Sequence, residues 1–194
     1  HVVGKDIIRF HCVIWPAMLM AAGLPVPECV FAQGFLMAAD GSKMSKSKGN
    51  AVYPRDVIDR YGVDACRYYF LSDIVYGADG NVGYDRITQV YNADLANTYG
   101  NLFSRVSNMT VKYFEGRVPQ LPAELADAQN PLKEIADSLY EKYRACMNVV
   151  DFCGATAAVM ELLHRANLYV EESAPWNLAK SQDTQGELAA VLYN

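Results

Sequence analysis

"HVVGKDIIRFHCVIWPAMLMAAG" (residues 1–23), followed by "ECVFAQGFLMA" (residues 28–38), is the stretch that decides the fold. The first residues are β-branched and break at Gly4, which reads as a short strand. Residues 9–23 read as a helix that Gly23 ends, with Pro16 near its first turn or kinking it. The Val-, Phe- and Leu-rich second segment reads as a strand interrupted at Gly34. Strand, helix and strand in that order predict a parallel βαβ unit. Asp6 falls at the carboxyl end of the first strand, where parallel sheets bind ligands; a carboxylate there accepts hydrogen bonds from ribose hydroxyls or an amino group. Capping the following helix is its alternative use.

Beyond this unit comes "GSKMSKSKGN" (residues 41–50), and then "PRDVIDRYGVDACRYYFLSD" (residues 54–73), which reads as two short helices divided at Gly62. Gly77, Gly80 and Gly83 mark a turn-rich connection. After it the pattern is helical without strands. One helix is expected from about Asp85 to Glu115, with Leu95, Leu102, Val106, Met109 and Tyr113 on a single face. Residues 117–131 read as a linker, 131–153 and 154–172 as amphipathic helices, and Ser173 with Pro175 as the start of another. The expected organisation is an α/β portion over 1–38, a connecting module over 39–88 and a helix bundle over 89–194, predominantly α overall.

Of the 17 Lys and Arg and the 22 Asp and Glu, eight of each lie in residues 1–80, leaving nine positive against fourteen negative charges in the helical remainder. A nucleic acid held there by a general basic field is disfavoured, so any such partner must be gripped by local contacts. Five cysteines without C-x-x-C spacing argue for reduced thiols in a cytosolic protein rather than a disulfide frame or a zinc knuckle. The longest uncharged stretch, residues 10–27, is interrupted by Pro16, Gly23, Pro25 and Pro27, so no membrane span is expected. A chain that starts at His1 inside an apolar run is expected to be an excerpt of something longer.

The loop carries the chemistry. Lys43, Lys46 and Lys48 sit in a segment too polar to pack, and three serines add hydroxyl donors. Ammonium groups on mobile backbone suit polyphosphate. A solvated basic turn is the bland alternative. The order is not that of a Walker loop. "KMSKS" (residues 43–47), placed after a βαβ unit and before helices, resembles the signature loop of class I aminoacyl-tRNA synthetases. Residues 1–19, "NADLANTYGNLFSRV" (92–106) and "ESAPWNLAK" (172–180) together resemble the methionyl-tRNA synthetase family over nearly the whole chain.

That resemblance implies a nucleotide-binding fold of Rossmann type, running into an anticodon-binding bundle. It implies ATP with Mg2+ as the nucleotide, methionine and a tRNA with a CAU anticodon as partners, and no zinc site in this segment. The upstream catalytic half, including the HIGH sequence, is expected outside the chain, which alone is expected to be inactive. By the same resemblance Lys46 is the main ATP contact and Lys43 assists, Met44 anchors the loop, and Lys48 is left as a surface charge. Gly4, Asp6 and Ile7 approach the substrate, and His11 lines the methionine pocket. Gln33 stands where the family usually has histidine, and it keeps hydrogen bonding without the titratable cation. Trp15 reads as core.

Asn101 and Arg105 are four apart on the edge of the long helix, which alone suggests a solvated face. Trp176 follows Pro175 at a helix start, where an indole can stay exposed to stack on a base. The resemblance makes these three the readers of the anticodon. Three rivals remain open at this level: a tRNA-binding module without catalysis, another class I synthetase, and a phosphate-binding fold of an unrelated enzyme that leaves the bundle unexplained.

Overall fold

A computed structural model describes residues 1–125 and 130–194. Part of the linker expected over 117–131 therefore lies outside the described residues. The chain is mostly helical and divides into two compact units: His1–Gln89 with Val150–Cys153, and Val90–Val149 with Gly154–Asn194.

In the first unit, β1 (Val2–Gly4) pairs in parallel with β2 (Phe31–Gln33), with Gly4 opposite Gln33. Between them lies α1 (Trp15–Ala21), preceded by one wide π turn over Phe10–Ile14. Pro16 is the second residue of α1 and lacks the N–H that would bond back into that turn, so it sits where the helical ladder changes register. The expected βαβ unit is present. Two features differ from expectation. Trp15, read as core, is 38% exposed: its indole N–H donates to His1 Nε2 at 3.1 Å, and the ring is otherwise left partly open. The segment holding Gly80 is not all turn: β4 (Gly80–Val82) pairs in parallel with β3 (Leu36–Ala38).

Gly34 explains how β2 and β3 separate into two sheets. A methyl group there would collide with the Ala78 backbone carbonyl, so only glycine lets the approach to β4 pass so close over the β2–β3 junction. Two helices follow the lysine loop, α2 (Pro54–Tyr61) and α3 (Val63–Ser72), divided at Gly62 as the sequence indicates. Pro54 opens α2 with Asp56 in its first turn and Arg60 in its last, the charge order that the helix dipole favours. With α4 (Tyr84–Val90) they bury Val57, Tyr69 and Ile87 to 2% exposure or less. Each such side chain contributes about 1.5–3 kcal/mol by leaving water.

The second unit takes up the long helical run as a π segment over Tyr91–Gly100 and then α5 (Asn101–Phe114). Thr98 Oγ1 donates to the Ala93 carbonyl at 2.9 Å, filling the looser ladder of the π segment from the side. The expected stripe from Leu95 to Tyr113 is half-buried throughout. Next come α6 (Lys133–Asn148), α7 (Phe152–Ser173), the single turn α8 (Pro175–Leu178) and α9 (Gln185–Tyr193). The break between α6 and α7 was expected at 153/154 but lies at 149–151. Val150 turns the chain there at φ 61°, while Gly154 continues α7. Ala174, at φ 41°, rather than Ser173, caps the turn that Pro175 opens.

Candidate functional site

The parallel pair β1–β2 ends in a cluster of the residues singled out from sequence. Past Gly4 the chain makes a tight turn, Lys5–Ile7, and no side chain caps it; the capping use open to Asp6 is not taken up. The Asp6 carboxylate instead folds back, so that a Cβ on Gly4 would stand 2.7 Å from Asp6 Oδ1. Glycine at position 4 thus makes room for the carboxylate itself.

Ile7 is 37% exposed, and its carbonyl lies 3.1 Å from His11 Nδ1. A carbonyl only accepts, so this bond puts a proton on Nδ1 and turns the other edge of the ring outward from the helix backbone. His11 and His1 line a cavity of about 410 Å3 with Phe10, Ile14, Trp15 and Met18. The cavity walls are apolar apart from histidine, a lining suited to an apolar side chain. Gln33, beside Gly4 across the sheet, accepts the Gly77 N–H on Oε1 at 2.9 Å, which leaves its amide NH2 as the free donor.

The lysine loop leaves β3 and doubles back, with Lys43 bridging to Met37. Asp40 begins the turn by accepting the Ser42 N–H at 2.9 Å, and this hydrogen bonding with Ser42 holds the Asp40 carboxyl below its ordinary range. Asn50 then ties the loop shut. Its Oδ1 accepts the Ser45 N–H at 2.8 Å, while its Nδ2 donates to Ser42 Oγ at 3.0 Å and to the Lys43 carbonyl at 3.3 Å. Lys46–Lys48 form a single tight turn closed at Gly49.

Met44 is half-buried and the three lysines are exposed. Among the described residues, no carboxylate forms an ion pair with Lys43, Lys46 or Lys48. A pinned backbone presenting unpaired ammonium groups is equipped to meet a polyanion. Sequence reasoning missed Asn50. Its only signal is a position just past the glycine that closes the lysine cluster.

In the second unit, α5 and α8 bring Arg105 and Trp176 together: the guanidinium carbon lies 5.9 Å from the indole ring centre. Glu171 on α7 approaches the same guanidinium at 3.6 Å. Trp176 is 42% exposed, and Asn101 is exposed one helical turn from Arg105. No helix among the described residues is long and apolar enough to cross a membrane.

Residues 1–107 match the family model described as tRNA synthetases class I (M). The chain is 46% identical over its whole length to the methionine–tRNA ligase of Caldanaerobacter subterraneus subsp. tengcongensis, covering 30% of that protein. It is 47% identical over its whole length to that of Synechocystis sp., covering 36%. It therefore spans about a third of the length of these relatives. Over 100% of the chain it superposes on the Mycobacterium tuberculosis methionyl-tRNA synthetase solved with methionyl-adenylate. That match has a TM-score of 0.92 and 42% identity, and covers 38% of that protein. The free form of the same enzyme superposes with a TM-score of 0.86 and 38% identity, again over 100% of the chain and 37% of that protein.

Proposed function

The chain belongs to the class I tRNA synthetases of the methionyl type and has their fold, and from that premise we propose that it is the part of a methionine–tRNA ligase that supplies the lysine loop and reads the anticodon. Residues 1–38 complete the nucleotide-binding domain, 39–88 join it to the rest, and 89–194 form the anticodon-binding bundle. The ATP enters with Mg2+, and the work is done in the cytoplasm.

In the first step the methionine carboxylate attacks the α-phosphorus of ATP. The bond to the bridging oxygen breaks, and pyrophosphate leaves with the negative charge. Lys46 meets that charge and Lys43 assists. Because the charge grows only as the bond breaks, the ammonium groups favour the transition state over the ground state. Gly4, Asp6 and Ile7 hold substrate at the ends of the parallel strands, His11 walls the methionine pocket, and the free amide NH2 of Gln33 donates towards the nucleotide. In the second step a terminal ribose hydroxyl of the tRNA displaces the adenylate from the methionyl carbonyl. Asn101, Arg105 and Trp176 identify the tRNA by its CAU anticodon.

The observation that carries this reading is the loop over residues 41–50, whose backbone Asn50 pins while its ammonium groups have no carboxylate partner among the described residues. The test is a full-length polypeptide carrying this chain, assayed for pyrophosphate exchange with each amino acid and for charging of a CAU-anticodon tRNA. Exchange dependent on methionine, together with methionylation of that tRNA, is the expected result. Exchange driven better by another amino acid, or none at all, refutes it.

A further inference from the structure

Outside the residues discussed so far, one carboxylate gathers contacts from segments far apart in the chain. Asp79 Oδ1 and Oδ2 lie 2.6 and 2.7 Å from Lys5 Nζ, and Oδ1 also accepts the Phe35 backbone N–H at 2.7 Å. Lys5 Nζ stands 4.6 Å from the Phe35 ring centre, so the cation is held by both a carboxylate and a π face. On either side of Asp79 the backbone is tied to the same junction: the Gly77 N–H donates to Gln33 and the Gly80 N–H to the Phe35 carbonyl. Hydrogen bonding from Lys5, then from the Phe35 N–H, holds the Asp79 carboxyl below its ordinary range, so it stays ionised at neutral pH.

With side chains 39% and 45% exposed, the Lys5–Asp79 pair contributes little to stability. What it determines is geometry. Lys5 immediately precedes Asp6, and Phe35 immediately precedes β3, which leads into the loop of Lys43 and Lys46. A single carboxylate therefore ties the turn that bears Asp6 to the strand that carries the lysines.

We propose that Asp79 is a positioning residue for amino-acid activation, holding the Asp6 turn and the lysine-loop strand in fixed relation through Lys5 and the Phe35 N–H without itself touching substrate. The inference rests on the reading given under Proposed function. It also assigns Lys5, whose ammonium group is committed to Asp79 and is not a further phosphate ligand.

The experiment measures methionine-dependent pyrophosphate exchange by the full-length polypeptide for D79N, K5M, the double variant, K5R and K46A, with a thermal unfolding midpoint for each. Asparagine keeps an acceptor for the Phe35 N–H and loses the charge. Turnover of D79N is expected to fall about tenfold, as for a reacting group displaced by a fraction of an ångström, with KM for methionine and the unfolding midpoint nearly unchanged. K5M should fall by a similar factor, the double variant no further, and K5R should keep most of the turnover, the pattern of two residues acting as one unit.

Undiminished turnover in D79N and K5M overturns the inference, as do losses that multiply in the double variant or that follow the unfolding midpoint. If D79N does not fold, K5M decides alone, and full turnover there is contrary. K46A separates the layers: loss in K46A beside full turnover in D79N overturns this inference only. Full turnover in K46A overturns the underlying reading and this one with it.

Discussion

Arg105 and Trp176 form a cation and an exposed indole 5.9 Å apart, built from two helices that are distant in sequence. Such a pair offers stacking and hydrogen bonding to unpaired bases, which is how loop nucleotides are read, and it does so within a unit whose net charge is negative. In the full-length polypeptide, Trp176→Ala should lower kcat/KM for tRNA roughly five- to 150-fold, the value of about 1–3 kcal/mol for one stacked base. Pyrophosphate exchange measured on the same preparation should be nearly unchanged. Equal losses in the two assays would refute the assignment.

Asn50 bonds to Ser42, Lys43 and Ser45 and so shapes the lysine loop without carrying charge. Each exposed or half-buried bond of this kind contributes about 0.5–1.5 kcal/mol net, enough to loosen one loop but not the unit. Asn50→Ala should raise KM for ATP severalfold in pyrophosphate exchange while the thermal midpoint moves little. An unaltered KM would show that the loop closes on its ligand without this anchor.

The contrast between Asn50 and the lysines shows what the sequence could reveal about the site. Three lysines between two glycines have no packing explanation, yet composition alone leaves a solvated basic turn open; it is the order of the residues, resembling a known signature loop, that points to phosphate. A single asparagine in a turn looks like any turn former until its partners are placed by tertiary structure. Asp79 is hidden for the same reason, since its contacts are with residues 5 and 35. In the fold, β1, α1 and β2 are legible because apolar runs and glycine or proline breaks agree. β4 is not, because Gly80–Val82 has no apolar run and becomes a strand only by pairing with β3. The turn at Val150 defies prediction for another reason: a β-branched residue at φ 61° is rare, and only surrounding contacts can hold it there. Trp15 misleads because an apolar residue reads as core even where its own unit leaves it open.

Gly34 tests the sheet architecture directly. Its missing side chain is the space the Ala78 carbonyl fills, and a backbone group cannot swing aside as a side chain can. Gly34→Ala should destabilise the protein by ~3 kcal/mol, at the upper end of common single substitutions, as read by urea unfolding. A variant of parental stability would mean that the crossing over the β2–β3 junction is looser than described.

Tyr69 should leave a signature at alkaline pH. Burial, and then the nearby Asp73 charge, push its phenol from 10.0 up to about 12. Between those values the unfolded state loses the proton while the folded state keeps it. The stability from this group is therefore complete below pH 10 and declines as pH rises towards about 12, by up to about 1.4 kcal/mol per pH unit. Tyr69→Phe should remove that part of the decline, so the stability gap between parent and variant should narrow or reverse on going from about pH 9 to about pH 11.5. A gap independent of pH would contradict the shift.

The central claim is that the exposed ammonium group of Lys46 gathers the charge that leaves ATP. It is tested most directly by methionine-dependent pyrophosphate exchange with Lys46→Ala in the full-length polypeptide. The account predicts that turnover falls by about 10²–10³, as when one preorganised electrostatic donor is removed, with the fold intact. Turnover equal to that of the parent would contradict it.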